Sequence, residues 1–202
     1  MFKLPDDTTL VVTVGLQAAQ YAVDNVDPRI PVLSVLLPRG SFESLSTNKP
    51  ALRKLSAIFI DQPPQRQLEL LRAVLPAARD VGLIMGPTNE RDAENIRALA
   101  ATRGLTIVAQ RAARETELYP VLQSVLRASD VLLALPDPYI INVASAQNLL
   151  LTSFRFRVPV VGHSAAYVRA GAIAAVYSTP RQIGLETGQI VRQVLRGSPM
   201  PG

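Results

Sequence analysis

Few residues of this chain carry side chains suited to catalysis. There is one histidine, His163, and there is no cysteine, which excludes thiol catalysis, disulfides and cysteine-ligated metals. His163 follows a short apolar segment, 158–161, at a position that could face a ligand, but no nucleophile or metal-binding partner stands near it in the sequence. A loop histidine without a catalytic task is therefore the simpler interpretation.

A second candidate is Asp137, which stands between two prolines in the segment DVLLALPDPYIINVAS, 130–145. The apolar run 131–135 predicts a strand that is covered on both faces. The proline pair ends that strand, and residues 139–156 can then form a helix. Asp137 would lie at the carboxyl end of the strand, where open α/β sheets bind ligands. The alternative is that Asp137 only caps the helix.

The common enzyme motifs are missing from the sequence. No serine lies in a G-x-S-x-G elbow, and neither a phosphate-binding G-x-x-x-x-G-K-[ST] loop nor a dinucleotide-binding G-x-G-x-x-G is present. The spacing of histidine and carboxylates fits no metal site. We therefore assign no catalytic residue, no metal and no cofactor, although a hydrolase or isomerase using His163 with Asp137 stays open as an alternative.

The elements that would position these residues alternate between strand and helix along the chain. Predicted strands cover 9–14, 30–37, 56–60, 81–85, 105–109, 131–135, 158–161 and 172–177, with a helical pattern between each pair. This alternation predicts an α/β fold with parallel sheets. The 202 residues suffice for one core or two small lobes, and 61–64 and 170–171 are the best candidates for crossings between lobes.

Composition excludes other classes of protein. The chain is 48% hydrophobic, which indicates a globular protein, but no apolar run is long enough to span a bilayer. The N-terminal residues lack the pattern of a signal peptide. The net charge is +5, yet the arginines are spread out and aromatic residues make up only 5%, so we expect no nucleic-acid partner.

Small or polar residues recur where the predicted strands end, and their helix starts would offer backbone N–H groups to an anion. Asp137 could take a ligand ammonium, so together they suit a small zwitterion held between two lobes. Capping alone would also explain each of them. The candidate ligand-binding residues are Gly15, Gln17, Thr88, Asn89, Asp137, Asn142, Ser145, Ser164 and Ser178.

Six segments, taken in order, carry a resemblance that extends over nearly the whole chain from about Thr9. They are TVGLQAAQ (13–20), QRQLELLRAVLP (65–76), VGLIMGPTN (81–89), LLALPDPYIINVAS (132–145), VPVVGHSAAYVRAGAIAA (158–175) and QIGLETGQIVRQVLRG (182–197). Their order and spacing resemble the ABC transporter substrate-binding protein family that includes tryptophan- and tyrosine-type members.

The resemblance implies a type I periplasmic-binding fold with two α/β lobes that close on a small ligand. On that pattern lobe I comprises 1–60 plus 172–202, without its N-terminal part, and lobe II comprises 61–171. Asp137, Asn142 and the region of Gly171 match the pattern of lobe II. Lobe I departs from it, since Leu16 replaces a hydroxyl residue and Ser178 and Thr179 replace an expected Asp-Tyr.

The expected function is non-enzymatic binding of a small solute, with amino-acid-like ligands among the candidates, which is delivered to the membrane permease of an ABC transporter. The resemblance implies a periplasmic or membrane-anchored extracytoplasmic location. The alternative is a sensory or regulatory module with the same fold that signals to a partner protein. The sequence identifies neither the ligand nor the oligomeric state.

Overall fold

The computed structural model describes residues 4–47, 54–87, 89–137 and 143–201, with side chains from residue 145 onward in the last range. Strands and helices alternate throughout these residues. The strands are β1 (Val11–Val14), β2 (Val32–Leu37), β3 (Leu55–Phe59), β4 (Asp80–Met85), β5 (Thr106–Arg111), β6 (Val131–Leu133), β7 (Val160–Gly162) and β8 (Ala174–Ala175). The helices are α1 (Leu16–Asn25), α2 (Arg39–Thr47), α3 (Pro64–Val74), α4 (Glu90–Ala101), α5 (Glu115–Arg127), α6 (Val143–Phe156), α7 (Ala165–Arg169) and α8 (Pro180–Leu195).

The predicted α/β class with parallel sheets flanked by helices is confirmed. All strand pairs in the described residues are parallel, and they form a three-stranded sheet and a five-stranded sheet. The chain divides into two compact units. Unit 1 comprises Met1–Ile60 and Ser178–Gly202, and unit 2 comprises Asp61–Tyr177. None of the described helices combines the length and apolar composition that crossing a bilayer requires.

Unit 2 contains the five-stranded sheet, in the order β5-β4-β6-β7-β8. Successive side chains of a strand point to opposite faces of the sheet. Since the successive side chains of its central strands are apolar, both faces of this sheet are apolar. Leu132 and Val160 pack on one face against side chains of α5 and α6. Leu133 and Val161 pack on the other face against side chains of α3 and α4.

The start of the unit 2 sheet is held by a carboxylate. Asp130 Oδ2 accepts hydrogen bonds from the backbone N–H groups of Arg79 at 2.7 Å and Asp80 at 3.0 Å. These two bonds join the residue before β6 to the start of β4. They also lower the pKa of Asp130, because the charged form is the better acceptor.

Unit 1 contains the three-stranded sheet, in the order β1-β2-β3. One face is covered by α1 and α2, where Ala19 and Leu37 pack together, and Val32 packs against Ala22 nearby. On the other face Leu33 and Val35 pack against Ile183 of α8. Ile183 is the one side chain of α8 that is fully buried among the described residues.

The second boundary between the units differs from the predicted division. Prediction placed 172–202 in lobe I, whereas the structure places residues up to Tyr177 in unit 2. The reason is that β8 pairs in parallel with β7, with Val161 opposite Ala174 and Gly162 opposite Ala175. The short strand β8 therefore extends the larger sheet, and the chain enters unit 1 again at Ser178.

Candidate functional site

Three neighbouring strands of unit 2 end at the same edge of the sheet. β4, β6 and β7 are adjacent and parallel, so the residues that follow them share the carboxyl edge. Asn89 follows β4, Asp137 follows β6, and His163 and Ser164 follow β7. Asn89 and Asp137 are each only 2% exposed, which is unusual for an amide and a carboxylate at strand ends.

The side chain of Asn89 folds the turn after β4 and does not cap α4. Asn89 occupies the N-cap position of α4, but its side chain makes no capping hydrogen bond to that helix. Instead its Oδ1 accepts a hydrogen bond of 2.8 Å from the backbone N–H of Gly86, and this bond folds the turn after β4. Its Nδ2 group is buried and has no hydrogen-bond partner among the described residues. The amide thus brings an unused donor to this edge.

His163 bridges the ends of β7 and β6. Its Nδ1 lies 3.2 Å from the carbonyl oxygen of Ala134. Because a carbonyl oxygen only accepts, Nδ1 carries the proton and Nε2 is the acceptor in the neutral ring. Burial lowers the pKa of His163, and the hydrogen bond to Ala134 only partly opposes this effect. His163 is therefore a neutral imidazole at pH 7.

Tyr167 packs beneath this imidazole. The two rings lie 4.6 Å apart between centroids and are tilted by 50°. The hydroxyl of Tyr167 is buried without a hydrogen-bond partner in the described residues, and burial raises its pKa to about 12. The ring occupies the space beside Gly162, where an added Cβ would lie 2.5 Å from Cβ of Tyr167. Glycine at position 162 thus lets α7 approach β7 closely.

Sequence reasoning did not find Gly162 and Tyr167. The only signal was the order Gly162, His163, Ser164 directly after an apolar strand, with Tyr167 one turn into the following helix. A glycine at a strand end often marks a close approach of two backbones, and this pattern could have identified the pair.

The other predicted residues of unit 2 have separate surroundings. Ser164 caps α7, since its side chain accepts a hydrogen bond from the backbone N–H of Tyr167 at 3.4 Å. Ser145 is 5% exposed and lines a cavity between α5 and α6. Thr88 and Asn142 lie outside the described residues. A ligand contact by any of these residues stays a prediction.

Three predicted residues belong to unit 1. Gly15 has φ of 80°, a left-handed conformation that favours glycine, and its N–H donates to the carbonyl oxygen of Val35 at 2.8 Å. Gln17 is exposed on the first turn of α1. Ser178 is half-buried at the point where the chain enters unit 1 again. Gly15 therefore has a clear backbone reason for its identity, independent of a ligand.

The carboxyl edge of unit 2 brings together three polar side chains of different character. It offers a buried carboxylate at Asp137, an amide donor at Asn89 and a neutral imidazole at His163. Among the described residues, no three histidine or acidic side chains are grouped as metal ligands would be. The edge thus carries an unused amide donor at Asn89 and a ring acceptor at Nε2 of His163.

Several solved structures have the same fold. A conserved domain protein from Vibrio cholerae matches with a TM-score of 0.74 and 22% identity, over 95% of this chain and 65% of its own. An ABC domain from Streptococcus pneumoniae in complex with L-Trp matches with a TM-score of 0.74 and 21% identity, over 96% of this chain and 66% of its own. A substrate-binding protein with adhesive properties from Clostridium difficile, in a ligand-free, open structure, has a TM-score of 0.67 and 21% identity, over 95% and 65%.

This chain thus spans about two thirds of the length of these solved structures. A search of curated protein sequences returns no match. The sequence model described as "ABC transporter substrate binding protein" matches residues 5–201, which is almost the entire chain. The resemblance inferred from the six sequence segments is therefore confirmed: the chain belongs to the ABC transporter substrate-binding protein family.

Proposed function

We propose that this protein is the solute-binding component of an ABC-type transport system and that its ligand is a small, amino-acid-like solute. The observation that carries the proposal is the carboxyl edge of unit 2, where Asn89 and Asp137 are each 2% exposed. Asn89 also keeps a buried amide N–H that has no hydrogen-bond partner among the described residues, and a ligand oxygen is a suitable acceptor for it.

In this proposal the carboxylate of Asp137 accepts hydrogen bonds from the ligand ammonium group. Asn89 donates a hydrogen bond from its unused amide N–H to a ligand oxygen. Ser164 and the start of α6, including Ser145, add polar groups, and Thr88 and Asn142 extend the same set. Gly15, Gln17 and Ser178 belong to the other unit and would complete the site when the ligand is held between two lobes. That mode of binding is taken from the family and supplies the partner as well, a membrane permease.

The same proposal covers location and activity. A component of such a transport system works outside the cytoplasm, either in the periplasm or anchored to the membrane. It releases its ligand unchanged, so we propose no catalytic step. The Streptococcus pneumoniae relative in complex with L-Trp makes L-tryptophan the first ligand to test, followed by the other amino acids, small peptides and organic acids.

A thermal-shift panel with the purified protein tests this function. A ligand at one hundred times its Kd adds about 2.7 kcal/mol to the stability of the folded state. For a chain of this size that corresponds to roughly 5–10 °C in Tm. We expect one amino-acid-like solute to give such a shift, and Asp137→Asn to abolish it.

Glu94→Gln is the matched control, because Glu94 is an exposed carboxylate on α4 of the same unit. This variant should keep the full shift. A flat panel would overturn the proposal. A ligand shift that Asp137→Asn leaves intact would retain solute binding but remove Asp137 from the site.

A further inference from the structure

A cavity of about 390 Å³ lies between α5 and α6 of unit 2. Its volume falls within the range of small-molecule pockets, which is roughly 300–1,000 Å³. Leu118, Leu122 and Leu149 line it, and they are 5%, 1% and 1% exposed, so its inner wall is part of the packed core. The cavity is thus a formed depression with an apolar wall.

Apolar side chains also stand at the opening of this cavity. Tyr119 and Leu151 line it and remain 54% and 58% exposed, one on each helix. Phe154, on the next turn of α6, is 83% exposed. Large apolar groups that cluster beside a pocket mark a binding surface more often than the same groups scattered singly.

The polar groups of the cavity include two donors on one face of α6. Thr152 is only 5% exposed, and its hydroxyl makes no hydrogen bond with any described residue. Arg155 lies three residues later, so both side chains point from the same side of the helix. Arg155 is exposed and makes no ion pair with any described residue.

A guanidinium group beside a hydroxyl donor matches a carboxylate, because the planar guanidinium can donate two parallel hydrogen bonds to its oxygens. Glu115 also lines the cavity, so the ligand carboxylate must lie on the Arg155 side of it, away from this negative charge. The apolar wall fits a hydrocarbon body of a few carbons or one ring.

We propose that this cavity is a second small-molecule site, which binds a monocarboxylate with an apolar body. The ligand carboxylate pairs with Arg155 and accepts a hydrogen bond from the hydroxyl of Thr152. The apolar body of the ligand contacts Leu118, Leu122 and Leu149. The site shares only Ser145 with the predicted solute-binding residues. The proposal of this second site therefore does not depend on the proposed transport function.

Titration of the isotope-labelled protein with 3-phenylpropionate, followed by NMR, tests this site. We expect saturable shifts of the backbone amides of Leu118, Leu122 and Thr152. Phenethylamine has the same ring without the carboxylate and should give no saturable shifts there. Arg155→Gln should weaken 3-phenylpropionate roughly tenfold or more, the effect of losing a charge-assisted hydrogen bond.

Arg97→Gln, which removes an exposed arginine from α4, is the matched control and should bind the probe as the wild type does. Asn148→Phe places a ring at an exposed position that lines the cavity, and it should block the probe without unfolding the protein. Equal binding of the amine, unchanged affinity in Arg155→Gln, or no saturable shift would each overturn the site. Shifts confined to the amides around Asn89 and Asp137 would also overturn it, because the probe would then occupy the carboxyl edge.

Discussion

The two units of this protein differ in how completely their sheets are covered. In unit 2 the three central strands are covered on both faces, and each face carries an extended cluster of buried side chains. In unit 1 the buried side chains form three small clusters. Its edge strand β1 leaves Val12 40% exposed and Val14 63% exposed. The polar side chains that are buried at strand ends, Asn89 and Asp137, belong to the well-covered unit.

This difference shows where the chain can hold polar groups in fixed positions. A buried amide or carboxylate keeps its orientation only when the surrounding core is rigid. Unit 2 supplies such a core directly behind its carboxyl edge. In unit 1 the predicted ligand-binding residues are a glycine, an exposed glutamine and a half-buried serine. The orientation of these residues depends less on close packing of the core. We therefore expect unit 2 to unfold later and to contribute most of the fixed recognition groups.

The largest expected effect comes from shortening one core leucine in each unit. Leu132 in unit 2 and Leu37 in unit 1 are both 0% exposed. Leu→Ala costs about 2–5 kcal/mol depending on how far the site can collapse around the cavity. We expect Leu132→Ala at the upper end of that range and Leu37→Ala at the lower end, because the smaller cluster can relax.

Hydrogen exchange followed by mass spectrometry in urea measures these two costs unit by unit. Leu37→Ala should accelerate exchange in β2 and leave β4 and β6 almost unchanged. Equal costs, or exchange that rises equally in both units for either variant, would contradict a difference in packing between them.

The fold was predictable from the sequence to the extent that it depends on local pattern. The predicted strands 9–14, 30–37 and 81–85 end at the same residues as β1, β2 and β4, because Gly15, Pro38 and Gly86 mark the turns that follow them. Five predicted strands were longer than the observed ones. The run 131–135 was predicted as a strand, but β6 ends at Leu133, since an apolar run does not show where pairing with a neighbour stops.

The parts that escaped prediction depend on contacts between distant segments. The pairing of β8 with β7 moved residues 172–177 into unit 2, and no local pattern reports which sheet a short strand joins. Capping alone was one open explanation for Asn89, yet its Oδ1 accepts a hydrogen bond from the backbone N–H of Gly86. The contact of His163 with Ala134 joins residues 29 apart in the sequence. Such contacts follow from strand order, which the sequence alone left open.

The substitution Gly162→Ala tests how closely the carboxyl edge of unit 2 is packed. In Gly162→Ala the new Cβ would lie 2.5 Å from Cβ and 2.9 Å from Cγ of Tyr167, so α7 must move. Overpacking of this kind costs about 1–3 kcal/mol. The movement should displace His163 from Ala134 and weaken solute binding more than the loss of stability alone would.

Gly184→Ala is the matched control, because a Cβ at that position on α8 meets nothing within 4 Å. We expect it to change stability only slightly, or to raise it, since alanine favours a helix. Urea unfolding and the thermal-shift panel, applied to both variants, separate the two effects. A Gly162→Ala protein that keeps wild-type stability and binding would contradict the close packing of α7.

A smaller effect should appear in the pH dependence of stability, and it should come from unit 2, which holds the single histidine of the chain. Burial lowers the pKa of His163 in the folded state, so the unfolded chain takes up its proton first as the pH falls. Stability is therefore lost as the pH drops below about 6.5, the ordinary histidine value, and the loss ends once the folded state is protonated too.

His163→Gln removes this titration and should flatten the change in unfolding free energy between pH 7.5 and pH 5. Exchange protection in β6 and β7 should follow the same trend, whereas β2 should not. Parallel curves for the wild type and the variant would show that His163 is not held in its neutral form.

The smallest expected effect on stability concerns the exposed edge of unit 1. Val12 and Val14 lie in register with Leu33 and Val35, so their side chains project on the same face of the sheet as these two residues, which pack against α8. An uncharged edge strand invites pairing with other chains, and a lysine at the edge discourages it. Val14→Lys should change the unfolding free energy by no more than about 0.5 kcal/mol, because the site is mostly exposed. Light scattering at rising protein concentration should then show less association in the variant.

Tyr119→Lys in unit 2 is the control, because it also replaces an exposed apolar residue but lies on a helix and not on an edge strand. It should leave association through β1 unchanged. Equal association of Val14→Lys and the wild type would mean that the open edge of unit 1 has no bearing on solution behaviour, and the contrast between the units would then be one of core size alone.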